Sequence, residues 1–121
     1  MASITPVNER LQKLMAQDYK GPIIMVNLLK FKPDGGEELY QQYYQSTKDL
    51  MLGKAITRVV YRGEGLQPVI GDEEWDEIAL YEYPSIQVFL EMGQDKDYQK
   101  VIHLRTDALL DSRLFCTIPK D

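Results

Sequence analysis

The sequence predicts an α+β protein in which a four-stranded antiparallel sheet carries its helices on one face. The main observation is the order of apolar patterns along the chain, which is one helix followed by βαββαβ. A second observation is the segment 23–32 (IIMVNLLKFK), which is apolar on both faces and is therefore typical of a central strand. Together they favour the split βαβ arrangement of the ferredoxin-like fold, with an extra helix at the N-terminus.

The N-terminal segment is predicted to be a helical extension over residues 1–20. Thr5 has the side chain of a helix cap and Pro6 suits the first helical position, so we expect a helix that ends near Asp18. Gly21 and Pro22 then break the chain before the first strand. Residues 21–121 are predicted to form one domain, as the length of 121 residues suggests.

The remaining elements follow from apolar spacing and helix-start signals. Ser85 and Asp95 are each expected to open a helix by accepting a bond from a first-turn amide. Trp75 is expected to begin the third strand, and Gly53 follows the last turn of the first long helix. The predicted spans are a helix over 37–51, a strand over 55–62, a strand over 75–83, a short helix from residue 85, a helix over 95–110 and a strand over 113–118.

A sheet with helices on only one face leaves its other face bare. Because the first strand is apolar on both sides, that second face is expected to be covered. We therefore expect a homodimer in which a second copy of the chain covers this sheet face.

Composition excludes several classes of partner. The net charge of −5 and scattered basic residues give no footprint for nucleic acid or an anionic membrane. Cys116, the single cysteine, lies in an apolar run and indicates a reducing compartment. No segment resembles a signal peptide or a membrane span, so we expect a cytoplasmic protein.

Arg105 is the most informative residue of the long helix predicted near the C-terminus. At helical spacing it lies in one line with Tyr98, Ile102 and Leu109, on the apolar face. A guanidinium placed there needs an internal partner or a route to water. Two interpretations remain open, an internal salt bridge to Glu77 or Glu82 and a site for an anionic ligand.

Asn27, Tyr43 and Tyr44 are further candidates for a polar site in the core. Asn27 shares a strand face with apolar residues, so an unpartnered amide there would cost about 1–3 kcal/mol. It is either satisfied across the sheet or contacts a ligand. Tyr43 and Tyr44 lie on the inner stripe of the first long helix, where buried hydroxyls need partners, and such a stripe belongs either to the core or to a ligand cavity.

Histidine and acidic residues give weaker indications. His103 is the only histidine and falls on the polar side of its helix, where a solvated side chain is typical. No set of donors has metal-ligand spacing, so we expect no metal and no tightly held cofactor. The acidic run over residues 72–77 is typical of a solvated loop.

Several motifs together resemble the domain-of-unknown-function family numbered 1330. They are IIMVNLLKF, the YRGEG after the second strand, WDEIALYEYPS and DYQKVIHLRTDALLDSRL. The resemblance covers residues 22–118 and implies the dimeric α+β barrel superfamily. That superfamily includes cofactor-independent monooxygenases, polyketide cyclases, isomerases and haem-using enzymes, so the fold alone does not select a reaction.

In such proteins the ligand cavity lies between the sheet and its helices, and the resemblance points to specific positions. These positions are Asn27, Tyr43, Gly63, Trp75, Tyr98 and Arg105. We take Arg105, Asn27 and Tyr43 as the candidate catalytic residues, and we expect ligand contacts among Trp75, Tyr98, Tyr44, Tyr61, Gly63 and His103. We therefore expect a small-molecule-binding protein that could be a cofactor-independent enzyme on an aromatic or polyketide-like substrate. The alternatives are a binding or sensing module without chemistry, and a haem protein that uses His103.

Overall fold

The computed structural model describes residues 2–120 and contains one antiparallel sheet. The strands lie in the order β2-β3-β1-β4, so β1 and β3 are central and β2 and β4 are edges. This is the predicted ferredoxin-like arrangement, preceded by the predicted extra helix. In chain order the elements are α1 (Asn8–Met15), β1 (Ile23–Phe31), α2 (Gly36–Met51), β2 (Arg58–Glu64), β3 (Glu77–Tyr83), α3 (Ile86–Gly93), α4 (Lys96–Gln99), α5 (Ile102–Ala108) and β4 (Leu109–Thr117).

The sheet has an inner face against the helices and an outer face away from them. On β1 the inner side chains Ile23, Met25, Asn27 and Leu29 are buried, and the residues between them are only half-buried. The inner face packs on α2, α4 and α5 through a core rich in tyrosine.

No helix within residues 2–120 has the length and apolar character to span a bilayer.

The N-terminal helix begins later than Thr5 and Pro6 predict. Its cap is Val7, which has extended backbone angles and makes no side-chain capping bond. The delay has a physical cause, because hydrogen bonds hold Ser3 to the start of β4 and keep the preceding chain extended. The helix also ends at Met15 rather than Asp18.

The helix predicted over 95–110 is two short helices followed by a strand. Asp95 does open α4, because its Oδ1 accepts the amides of Asp97 and Tyr98. The helical path ends at Ala108, whose carbonyl accepts the amide of Lys32 at 2.9 Å. Leu109 then pairs with Phe31 on β1, so β4 starts there and not at residue 113.

A β-bulge changes which residues of β2 face inwards. Strict alternation would place Arg58 and Arg62 on one face, but the register shifts between Val59 and Tyr61. As a result Arg58 lies opposite Glu82 on the outer face, and Arg62 lies opposite Ala79 on the inner face. The strand also begins at Arg58 rather than residue 55, because Ala55 and Ile56 turn back to the carbonyl of Met51.

The third strand begins after Trp75, not at it. Asp76 donates its amide to the Leu29 carbonyl, and regular pairing with β1 begins at Glu77. Ser85 caps α3 as predicted, accepting the Val88 amide at 3.1 Å.

A testable feature of this packing is the contact between the start of α2 and the end of α5. A Cβ at Gly36 would lie 2.6 Å from the Ala108 carbonyl oxygen, whereas a Cβ at Gly93 would have no neighbour within 4 Å. We therefore expect Gly36→Ala to lower the free energy of unfolding by about 1–3 kcal/mol. The control Gly93→Ala should raise it by about 0.4–1 kcal/mol through chain entropy. Urea unfolding measures both, and equal effects would contradict this packing.

Candidate functional site

Arg105 lies between the sheet and α5, with only 9% of its surface exposed. The position follows from helical spacing, since Tyr98 and Ala108 are buried on the same side of the α4–α5 segment. Its guanidinium donates from Nη2 to Asn27 Oδ1 at 3.4 Å and from Nη1 to the Ile4 carbonyl at 3.1 Å. Both acceptors are neutral oxygens.

The expected salt bridge between Arg105 and Glu77 or Glu82 is absent from residues 2–120. Glu77 instead pairs with Arg62 at 2.8 Å, and Glu82 pairs with Arg58 at 3.1 Å. The bulge in β2 explains the difference, because it turns Arg62 inwards beside Glu77. The internal salt-bridge interpretation of Arg105 is therefore wrong.

A comparison of Arg62 with Arg105 shows how differently the two guanidinium groups are satisfied. Arg62 makes two bonds to the Glu77 carboxylate and one to Gln41 Oε1, and it stacks 3.8 Å from the Tyr44 ring centre. Arg105 is more deeply buried but has no carboxylate within salt-bridge distance among the described residues. Burying a charge without an opposite charge is costly, so this cation is the strongest electrostatic feature of the interior.

Asn27 is held by Arg105, not by a neighbouring strand. A guanidinium has only donors, so the amide atom that faces it must be the acceptor Oδ1. The Nδ2 group of Asn27 therefore keeps its two protons for another partner. Arg105 and Asn27 thus join α5 to β1 through a side-chain hydrogen bond in the core.

Tyrosine hydroxyls pair with one another close to Arg105. Tyr43 and Tyr98 are 2.7 Å apart at their hydroxyl oxygens, and Tyr40 and Tyr81 are 3.4 Å apart. In each pair one hydroxyl donates to the other, so one O–H proton per pair remains for a further acceptor. These tyrosines join α2, α4 and β3.

Burial holds several of these phenols in the neutral form. Desolvation raises the pKa of Tyr40, Tyr81, Tyr83 and Tyr98 well above the usual value, and the nearby charge of Arg105 opposes this in part at Tyr40, Tyr83 and Tyr98. At neutral pH these groups act as hydrogen-bond donors and not as bases.

A small cavity of about 20 Å³ lies between α2 and the β2–β3 side of the sheet. Its volume suits about one water molecule or one small ligand group. Thr47 is buried, and its Oγ1 has no hydrogen-bond partner within residues 2–120. The lining residues are Tyr43, Tyr44, Thr47, Lys48, Leu52, Ile56, Val59, Tyr81 and Tyr83, so both helix tyrosines singled out in the sequence reach it.

Four other candidate residues lie away from Arg105. Tyr61 and Gly63 are on the outer face, opposite Leu80 and Ile78, and the Tyr61 ring lies across Gly63. Trp75 lies 5.0 Å from the guanidinium of Arg113, an outer-face residue of β4. His103 is exposed on α5. The structure thus brings together Arg105, Asn27, Tyr43 and Tyr98. Tyr44 lines the small cavity, which Tyr43 shares but which Arg105 and Asn27 do not line.

Two contributors to the site carry little signal in the sequence. Ile4 acts through its main-chain carbonyl, which any residue would supply, and Thr47 is one polar residue on an otherwise aromatic stripe. Among residues 2–120 no group of three or more His, Cys, Asp or Glu side chains converges to hold a metal ion.

The fold and the buried guanidinium define a ferredoxin-like α+β protein with a polar site inside its core. The model of the family described as Domain of unknown function (DUF1330) matches residues 35–115, and the chain belongs to that family. The predicted resemblance is therefore confirmed. A search of curated proteins finds no match to the chain.

Three solved structures illustrate the similarity. RPA0582 of Rhodopseudomonas palustris, a protein of unknown function, is 32% identical with a TM-score of 0.90, over 100% of this chain and 99% of that one. A hydroxynitrile lyase from Passiflora edulis is 11% identical with a TM-score of 0.68, over 85% and 97%. A dimeric protein of unknown function from Bacteroides fragilis is 10% identical with a TM-score of 0.58, over 81% and 97%. The last two show the fold alone.

The buried phenols predict an unusual alkaline titration. A tyrosine whose folded pKa exceeds its unfolded value contributes stability that is complete below about pH 10 and is lost as the pH rises further. We expect Tyr40, Tyr81, Tyr83 and Tyr98, half of the eight tyrosines, to ionise only together with unfolding. Absorbance at 295 nm and circular dichroism, recorded during one pH titration, should show a shared late step. Complete tyrosine ionisation in a folded protein would contradict the burial of these hydroxyls.

Proposed function

We propose that the protein binds a small aromatic or polyketide-like molecule through an anionic oxygen placed against Arg105. The observation that carries this proposal is a buried guanidinium whose partners in the described residues are two neutral oxygens, Asn27 Oδ1 and the Ile4 carbonyl. A carboxylate, enolate or phenolate oxygen would supply the missing negative charge. An anionic oxygen adds Coulombic attraction to the hydrogen bond and can accept from two N–H groups of the guanidinium at once.

The neighbouring groups suit the same ligand. Asn27 Nδ2 has protons to donate, and the Tyr43–Tyr98 pair adds an O–H donor. Burial raises the pKa of Tyr98 and keeps its hydroxyl protonated. Aromatic rings on α2 and β3 favour a flat, apolar ligand body. The arrangement resembles an oxyanion-binding site assembled on rigid elements.

An enzyme of the cofactor-independent monooxygenase, cyclase or isomerase type is the more specific form of the proposal. In such a reaction Arg105 and Asn27 would stabilise an enolate oxygen as charge develops, and Tyr43 or Tyr98 would donate a proton. A binding or sensing module would hold its ligand in the same site without any reaction. Native mass spectrometry distinguishes the two, because a module returns its ligand with unchanged mass after incubation.

Binding of benzoate tests the assignment of Arg105. Loss of a charge-assisted hydrogen bond costs about 1.5–3 kcal/mol, so Arg105→Met should weaken benzoate binding about 10- to 150-fold. The benzoate affinity of Arg105→Lys should lie between those of the wild type and Arg105→Met, because lysine keeps the charge but not the planar fork of donors. Isothermal titration calorimetry measures the affinities.

Two controls sharpen this test. Benzamide has the shape of benzoate without its charge and should bind the wild type more weakly. Arg10→Met, an exposed arginine on α1, should leave benzoate binding unchanged. Equal benzoate affinity in the wild type and a folded Arg105→Met variant would refute the site.

We also propose that two copies pair through the outer faces of their sheets. Ile24, Val26 and Leu28 of β1 lie on this face, and Phe115 beside them on β4 is 71% exposed. An apolar sheet face of this kind is typical of a protein interface. A protein from Bacteroides fragilis that shares the fold is named as dimeric, which supports the pairing of two copies.

A charge placed on the outer face should separate the copies. We expect Phe115→Asp to give a monomer in size-exclusion chromatography with light scattering, because a desolvated carboxylate would face the partner's apolar surface. Leu50→Asp, an exposed apolar position on α2, should leave the dimer intact. A wild-type protein that is monomeric at high micromolar concentration would refute the dimer.

A further inference from the structure

Residues 2–6 pass directly over the Arg105 site. Ser3 donates its amide to Asp111 Oδ1 at 2.8 Å and accepts the Ser112 hydroxyl at its carbonyl at 2.6 Å. The next carbonyl, that of Ile4, accepts from Arg105 Nη1 at 3.1 Å. Both Asp111 and Ser112 belong to the edge strand β4, so this segment, here termed the strap, joins the sheet edge to the buried cation.

The Ile4 carbonyl oxygen accepts a hydrogen bond from Arg105 at the position where a ligand oxygen would accept one. It is an acceptor that lies on one nitrogen of a guanidinium for which no carboxylate is present among residues 2–120. A neutral carbonyl is a weaker acceptor than an anionic oxygen at the same nitrogen. The strap therefore satisfies Arg105 only in part.

The attachment of the strap to the core is slight. Within residues 2–16, which include all of α1, no side chain is fully buried, and Ile4, Leu11 and Leu14 are only half-buried. Segments with few buried apolar contacts open locally at low free-energy cost. Opening of the strap would break the three hydrogen bonds made by Ser3 and Ile4 and would uncover the half-buried Ile4 side chain.

We propose that the strap is a displaceable inhibitory segment, which competes with the anionic ligand for Nη1 of Arg105. This inference rests on the proposed function of the Arg105 site. Ligand binding and strap docking exclude each other, so the apparent affinity is the intrinsic affinity reduced by the fraction of molecules whose strap is open. Cleavage of the strap, or a partner that captures it, would activate binding.

Removal of residues 2–6 tests the proposal directly. If the strap is closed in about nine molecules out of ten, its deletion raises benzoate affinity about tenfold. Ser112→Ala, which removes one tie without shortening the chain, should raise the affinity by a smaller factor. The control Ser46→Ala, a serine on α2, should not change it. A synthetic peptide of residues 2–6, acetylated and amidated, should compete with benzoate on the shortened protein.

The outcomes separate the two hypotheses. If the full-length protein binds benzoate and neither the deletion nor Ser112→Ala tightens binding, the strap is not inhibitory but the Arg105 site stands. If neither the full-length nor the shortened protein binds, both proposals fail. Introducing Arg105→Met into the shortened protein should abolish the gain in affinity, and a gain that persists would overturn competition at Arg105.

Discussion

The burial of a positive charge without a matching negative charge is the constraint around which this site is built. Arg105 reaches the core because α5 presents it to the inner face of the sheet, where Asn27 meets it from β1. The attraction between a guanidinium and an anion is stronger in such surroundings than in water, because the local dielectric is low. The buried tyrosines make the same surroundings poor in water and rich in neutral donors.

The fold supplies this arrangement through small local irregularities. The bulge in β2 turns Arg62 inwards, where it forms an ion pair with Glu77. This carboxylate on the inner face of β3 therefore already has a partner. The end of α5 at Ala108 transfers the chain into β4, which then carries Ser112 beside the strap. Both irregularities leave Arg105 with acceptors that are only carbonyl oxygens. The sheet order sets the scaffold, and these local details set the surroundings of Arg105.

Much of the fold and part of the site could be predicted from sequence. Periodicity predicts the order of helices and strands along the chain and the burial of Arg105 and Asn27, because apolar spacing on strands and helices is local information. The partner of Arg105 could not be predicted, since the salt bridge of Glu77 depends on a register shift that alternation does not reveal. The start of α1 was misplaced at Pro6, because contacts with distant β4 override the local helix signal. Main-chain contacts such as that of Ile4 have no residue signature at all.

The most direct test of the account is nitrogen-15 NMR of the arginine side chains during a benzoate titration. The account predicts a saturable shift of the Arg105 guanidinium resonances, with those of Arg58 and Arg113 unchanged. Benzamide at equal concentration should shift the Arg105 resonances less than benzoate does. Resonances of Arg105 that stay fixed throughout, or that drift in proportion to added salt like those of the exposed arginines, would contradict an anion site at Arg105.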